Sequence, residues 1–290
     1  MITVPQQGLG FSVAAILFCC VSFLTPPVNG QLLLISCSLV IVFFGVPHGA
    51  LDPVFAKSLL RLHTFTDWLA FVFAYLSLSL LVIVFWWCLP TAFLLGFLLV
   101  SIFHFSGDLA PGSSFATRLL YGGCSFVLPA ALYSDELTRL FSFLVRHDHA
   151  VLIVSVLYHL SWPWFVAVLL ESARNYRKNR VTSIEVCAVA VCTLVLSPLV
   201  GFTLFFCGMH SLRHWIQTHK YSGLSVSFLA LISAVPLAAV CAFAVGAWVL
   251  LLPSALDERV IQFVFVGLAA LTVPHMFLVE RVRFNGWRPL

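Results

Sequence analysis

Ten histidines are the side chains of this sequence best suited to do chemistry. The chain has 290 residues, of which 61% are hydrophobic and only 9% are charged, so polar imidazoles are unexpected in it. Neutral imidazole is a good ligand for iron, copper, zinc and nickel. The candidate metal ligands are the five histidines near the ends of apolar segments, in the motifs VPHGALD, FHFSGD, MHSLRH and VPHMFLVE: His48, His104, His210, His214 and His275.

The strongest local spacing is the pair His210 and His214. Residues four apart lie on the same face of a helix, with about 6 Å between their Cβ atoms, so both imidazoles could bind one metal ion. The alternative for this pair is the polar end of a helix at the membrane interface. The spacing alone leaves both interpretations open.

Two aspartates repeat the same offset from a histidine. Asp52 lies four residues after His48, and Asp108 lies four residues after His104. A carboxylate next to a metal-binding imidazole can fix its tautomer and raise its basicity. We therefore predict that Asp52 and Asp108 hydrogen-bond to metal ligands and do not bind the metal directly. The alternative is a pair of carboxylates at helix ends that face solvent.

The composition indicates the elements that must position these side chains. Fifteen basic and eleven acidic residues cannot cover a soluble protein of this size, and the mean hydropathy is +1.06. This excludes a soluble globular domain, a disordered chain and a nucleic-acid-binding protein. The apolar segments are long enough to cross a bilayer. We predict an all-α transmembrane bundle of about 8–10 helices, which forms a single integral-membrane domain over residues 1–290.

The basic residues predict an orientation. If ten spans start from a cytoplasmic N-terminus, every Lys and Arg except Arg139, Arg146 and Arg259 falls on the inner side, in agreement with the positive-inside rule. The prediction is a multi-pass protein of the cell membrane with both termini cytoplasmic. This topology places the five candidate histidines at a similar depth near the inner surface. It also favours a break near Ser197–Pro198 over one long kinked helix.

The other histidines receive no role from the sequence. His159 lies within an apolar segment, where an ionisable residue is a functional candidate by default. A hydrogen-bonded histidine in the bundle core is an equally good interpretation. The remaining four lie in polar stretches: His63, His147, His149 and His219.

The four histidine motifs, taken together and in order, resemble those of the Brp/Blh family of membrane β-carotene 15,15′-dioxygenases over nearly the whole chain. The resemblance implies a non-haem Fe(II) enzyme. Such an enzyme cleaves the central double bond of β-carotene with O2 to give two molecules of all-trans-retinal. The many aromatic side chains of the apolar segments could line a cavity that this substrate enters from the bilayer. The resemblance implies that the catalytic iron ligands are His48, His104, His210 and His214, and that His275 is a fifth ligand or a neighbour of the ligands. It also implies a functional link to a retinal-binding rhodopsin.

Two other classes of function use histidine inside membranes. A histidine-gated transporter or channel would need a polar path, but the apolar segments contain few acidic residues. Desaturase- and hydroxylase-type membrane oxidases use several tight histidine boxes, including HxxHH. This chain has one HxxxH pair and no HxxHH. Both classes remain alternatives to the dioxygenase.

Overall fold

The computed structural model describes residues 2–25, 29–250, 256–284 and 287, and all regular structure in these ranges is helical. Two π-helical segments, Ile41–Gly45 and Leu204–Ser211, interrupt the α-helices. In chain order the α-helices are α1 (Val4–Leu24), α2 (Gly30–Val40), α3 (Val46–Gly49), α4 (Asp52–Leu59), α5 (Phe65–Cys88), α6 (Pro90–Ser106), α7 (Phe115–Val127), α8 (Ala130–Ser142), α9 (His147–Asn175), α10 (Arg180–Val195), α11 (Pro198–Thr203), α12 (Leu212–Ser222), α13 (Val226–Leu250) and α14 (Leu256–Phe284).

Polar caps start the long apolar helices. The hydroxyl of Thr3 accepts a hydrogen bond from the amide of Gln6, and the Gln6 side chain accepts one from the amide of Thr3. Thr64 and Asp67 form the same reciprocal cap at the start of α5. Each cap satisfies amides that have no partner within the helix. After Asp67, α5 continues to Cys88 without another charged residue, which suits a helix that crosses lipid.

The all-α membrane fold predicted from the sequence is confirmed. Within the described residues, five helical segments are long and apolar enough to span a bilayer, and each of two bent pairs adds one more if it counts as a single span. The shorter apolar helix α6 does not reach this length. The protein is therefore a multi-pass membrane protein. The ten-span topology and the cytoplasmic termini stay predictions.

The chain divides into two compact units. The first unit comprises Met1–Cys37 and Leu94–Arg213, and the second comprises Ser38–Phe93 and His214–Leu290. All three divisions of the chain fall within helical segments. The single catalytic domain over residues 1–290 stays a prediction.

In the first unit, α1 packs against α10, while α7 and α8 pack against α9. The predicted break near Ser197–Pro198 is present, because α10 ends at Val195 and Leu196 is extended before α11 begins. Gly122 on α7 lies against α6, where a Cβ would come 2.2 Å from the carbonyl oxygen of Ile102. Only glycine allows this close approach. It holds α7 against α6 at Ile102, two residues before His104.

In the second unit, α14 packs against both α4 and α5, and α13 packs against α3. A buried cluster that includes Phe55, Tyr221 and Val279 joins α4, α12 and α14. The hydroxyls of Tyr221 and Ser58 lie 2.7 Å apart, which ties α12 to α4. Three histidine-bearing helices of this unit are therefore held by contacts on α4, α5 and α13.

Candidate functional site

Burial separates the ten histidines into two sets. Five of them are at most 6% exposed, and the sequence selects the same five as candidate ligands: His48, His104, His210, His214 and His275. The other five are half-buried or exposed: His63, His147, His149, His159 and His219. Burying five imidazoles is costly unless each finds polar partners. The polar partners of each imidazole therefore indicate its tautomer and the chemistry that it can do.

In the second unit, a hydrogen-bonded chain fixes His275. Its Nδ1 lies 2.6 Å from Oδ1 of Asp52, and the hydroxyl of Tyr75 donates to Oδ2 of the same carboxylate at 2.8 Å. An ionised carboxylate can only accept, so Nδ1 of His275 carries the proton. The lone pair of His275 is then on Nε2, where a metal can bind it.

His48 is held in the same tautomer by a backbone carbonyl. Its Nδ1 contacts the carbonyl oxygen of Gly45, which is the last residue of the first π-helical segment. Pro47 has no amide to donate, so one backbone hydrogen bond of the helix is missing directly before His48. A carbonyl can only accept, and the proton of His48 is therefore also on Nδ1. Its Nε2 is left with a lone pair.

The rings of His48, His214 and His275 form a compact triangle, the second-unit triad. The ring centroids of His48 and His214 are 5.6 Å apart, and His275 lies 5.1 Å from each of them. Phe55 and Trp287 pack against His214 at 5.5 and 6.0 Å and cover it with apolar surface. Three buried imidazoles at these distances could bind one metal ion.

In the first unit, His104 and His210 form a second group, the first-unit pair. Their ring centroids are 4.7 Å apart. Nδ1 of His210 lies 2.9 and 3.1 Å from the two carboxylate oxygens of Asp108. This repeats the arrangement of His275 and Asp52, so Nε2 of His210 is again the nitrogen that carries the lone pair. His210 lies in the second π-helical segment, and such segments often occur at functional sites.

A buried ion pair supports the first-unit pair. Arg213 and Glu185 are 1% and 4% exposed, and their side chains are 2.9 Å apart. Arg213 also donates to the backbone carbonyl of Asp108 at 2.9 Å and to the side chain of Gln7 at 2.9 Å. Gly8 makes room for this network, because a Cβ there would come 1.6 Å from Glu185. The network fixes the segment that carries Asp108.

A cavity of about 630 Å³ lies within the second unit. It is lined by α5, α13, α14 and the segment from Ile41 to Gly49, and His48 and His275 both face it. Its other lining residues are mostly apolar. The volume is in the range of roughly 300–1,000 Å³ that is usual for small-molecule sites.

Comparison with known proteins agrees with these observations. The family model described as beta-carotene 15,15′-dioxygenase matches residues 39–282. A protein named beta-carotene 15,15′-dioxygenase, from the uncultured marine bacterium 66A03, is 31% identical to this chain over 264 residues, which cover 87% of this chain and 94% of that protein. The chain belongs to the β-carotene 15,15′-dioxygenase family. No solved structure matches it.

Membership of the β-carotene 15,15′-dioxygenase family confirms the resemblance drawn from the histidine motifs, and with it the prediction of an enzyme. The matched range contains all five buried histidines and both aspartates. The structure joins Asp52 to His275 and Asp108 to His210, in separate units. The roles of these seven residues stay predictions.

Sequence reasoning missed four residues of the site: Tyr75, Gln7, Glu185 and Arg213. Glu185 had a visible signal, because it is a carboxylate inside the apolar stretch SIEVCAVAV, and such residues are functional candidates by default. Arg213 stands between two of the histidines but was assigned to the cytoplasmic surface. Tyr75 gives no local signal, since only the fold places its hydroxyl against Asp52.

Proposed function

We propose that this protein cleaves the central double bond of β-carotene with O2 and releases two molecules of all-trans-retinal. The proposal assigns the iron ligands to His48, His104, His210 and His214, with His275 as a further candidate. The observation that carries it is the set of five buried histidines in a chain of this family. A transporter or channel has no need for imidazoles held in one tautomer by an acceptor at Nδ1.

The donor set fits a divalent transition metal. His48, His210 and His275 each have an acceptor at Nδ1, which is the usual arrangement behind a metal-binding histidine. The carboxylates of Asp52 and Asp108 can balance the two positive charges of the ion. Imidazole also suits zinc and copper. The dioxygenase activity named in the family favours iron, which supplies the activation of O2 when it is bound.

The residues of the chain have positioning roles in this proposal. Asp52 and Asp108 hold the Nδ1 protons of His275 and His210 and thereby fix the orientation of both rings. The apolar cavity binds the hydrocarbon and excludes water from the reacting double bond. No side chain needs to transfer a proton, because oxidative cleavage of a double bond by O2 is balanced without one.

Expression in β-carotene-producing cells tests the activity. We expect the cells to lose their orange colour and to contain retinal, measured by chromatography of the extract. Separate replacement of His48, His104, His210 and His214 by alanine should abolish retinal formation. His159→Ala is the matched control, because this histidine lies in a span but is exposed. Apocarotenals of other lengths in the extract would contradict central cleavage.

The metal content tests the ligand assignment independently of turnover. We expect one iron per chain in the purified protein, and less than a tenth of that in the four alanine variants. Two irons per chain would contradict a single centre. Full iron content in any two of these variants would contradict the ligand set.

The proposal also includes a location and a route. We propose that the protein lies in the cell membrane with both termini cytoplasmic, takes its substrate laterally from the bilayer and supplies retinal to a rhodopsin. The least buried of the candidate spans, α5, lines the cavity, which supports access from lipid. Tags at the two termini should be digested by protease only after the cells are permeabilised.

A further inference from the structure

The cavity of the second unit is long as well as apolar. Helix α14 lines it from Arg259 to His275, with Phe263, Gly267 and Leu271 between them. At 1.5 Å per residue, the distance from Arg259 to His275 along the helix is about 24 Å. The imidazole of His275 lies at one end of this lining segment of α14. A ligand that fills the cavity is therefore elongated and has its reacting part at the His275 end.

Helix α5 also lines the cavity and runs antiparallel to α14. The Tyr75 hydroxyl lies 3.4 Å from the carbonyl oxygen of Leu271, and Trp86, eleven residues further along α5, lines the same cavity as Arg259. A parallel α5 would carry Trp86 past His275 and out of the cavity. Trp86 therefore lies toward the Arg259 end, and α5 and α14 bound the cavity along much of its length.

The two hydroxyl side chains that line the described part of the cavity donate their protons within their own helices. Ser79 and Thr272 both line it, but each hydroxyl donates to a carbonyl of its own helix, at 3.0 Å to Tyr75 and 2.7 Å to Leu268. The protons of these two hydroxyls are therefore already engaged within the helices. A hydrocarbon therefore suits the cavity beside Ser79 and Thr272 better than a ligand that needs hydrogen-bond donors.

Gly267 widens the cavity. It lies in the interior of α14, where glycine is an unfavourable residue, and helix packing does not require it, because no atom lies within 4 Å of a Cβ built there. The open space in front of it is the cavity itself. Gly267 is eight residues from His275, or about 12 Å along the helix.

We propose that this cavity binds one ring-bearing arm of the carotenoid, and that Gly267 sets its width where the ring lies. This inference rests on the proposed function, because cleavage at the centre of a symmetric polyene requires one arm to extend away from the metal. The arm is a narrow conjugated chain that ends in a wider ring. The cavity is apolar along the chain and is widened by a missing side chain two turns from the imidazole.

Substitutions of increasing size at Gly267 test the proposal. Gly267→Ala, Gly267→Leu and Gly267→Phe should lower kcat/KM for β-carotene progressively, by tenfold or more for the two larger side chains. Gly10→Phe is the matched control, because Gly10 is also helical, has no atom within 4 Å of its Cβ position and lies outside the cavity. This control should stay within twofold of the wild type.

An asymmetric substrate separates a filled cavity from general damage. An apocarotenal with one ring-bearing arm and one truncated arm can place the truncated arm in the narrowed cavity. The Gly267→Phe variant should therefore retain at least a third of the kcat/KM that the wild-type protein has for the apocarotenal. The amount of β-carotene that copurifies with the variant, measured by absorbance, should fall at least fivefold, while its iron content stays unchanged.

The two possible failures are distinguishable. If the wild-type protein forms no retinal from β-carotene, the proposed function fails. If the wild type is active but Gly267→Phe cleaves and binds β-carotene as Gly10→Phe does, the arm site is wrong. Equal loss of both substrates in a folded, iron-containing Gly267→Phe protein also overturns the arm site.

Discussion

Replacement of Asp52 by asparagine tests how the carboxylate behind His275 contributes to the metal site. Asp52 is 1% exposed and accepts two hydrogen bonds, from Nδ1 of His275 and from the hydroxyl of Tyr75. An asparagine keeps this geometry, because its carbonyl oxygen can accept from His275 and its amide can donate to Tyr75. The substitution therefore removes one negative charge and little else.

The expected magnitude follows from those two contacts. Loss of a partner behind a metal ligand typically lowers metal affinity 10- to 100-fold, which corresponds to about 1.4–2.7 kcal/mol. Tyr75→Phe leaves the charge of Asp52 in place and removes one hydrogen bond, worth about 1 kcal/mol. Its effect should be smaller, roughly fivefold in affinity. The predicted order of iron affinity is wild type, then Tyr75→Phe, then Asp52→Asn.

Competition with a coloured iron chelator in detergent measures these affinities. Thermal unfolding of the iron-free proteins must accompany it, because Asp52 also lies in the first turn of α4, where a carboxylate stabilises the helix. Asp67→Asn is the matched control, since Asp67 is a helix-start carboxylate with no contact to a buried histidine. If folded Asp52→Asn binds iron as tightly as Asp67→Asn does, Asp52 does not act through His275.

Three further outcomes concern stability. Glu185→Gln should lower the free energy of unfolding by about 3–5 kcal/mol, because it leaves Arg213 buried without its countercharge; thermal or denaturant unfolding in detergent checks this, and a change below 1 kcal/mol would contradict it. Gly8→Ala should also destabilise the fold, since its Cβ would overlap Glu185, whereas Gly10→Ala should add up to about 1 kcal/mol of helix stability. Removal of iron by a chelator should lower the Tm, because an ion present at 100 times its Kd stabilises the folded state by about 2.7 kcal/mol; an unchanged Tm would argue against a metal in the native protein.

The fold was largely predictable because lipid leaves few options. Long apolar segments must form helices in a bilayer, and proline marked the break before α11 correctly. The number of spans was harder to predict, because apolar content alone does not show where a helix bends. The bend of 59° between α7 and α8 joins two helices that are each too short to cross the membrane.

The candidate site was predictable in its residue types but not in its pairings. A histidine within an apolar segment is unfavourable unless it has a function. The histidine motifs were therefore enough to select the five histidines that are buried. Asp52 and His275, however, are 223 residues apart, and no local pattern shows that they meet. The same holds for Arg213 and Glu185, whose contact depends on how α10 packs beside the helix of His210.

The two π-helical segments give the site an unusual sensitivity to chain length. A π-helical turn holds one more residue than an α-helical turn, and each residue in an α-helix turns the chain by about 100°. Deletion of one residue from Ile41–Gly45 or Leu204–Ser211 would restore regular α-helical hydrogen bonding with only a small rotation of the helix that follows, because the wider turn with one more residue covers nearly the same angle as the α-helical turn. His48 follows the first segment, and His210 lies near the end of the second. In a regular α-helix the carbonyl of Gly45 would accept from the backbone amide four residues ahead, so the deletion that most improves the helix would also take this carbonyl from Nδ1 of His48.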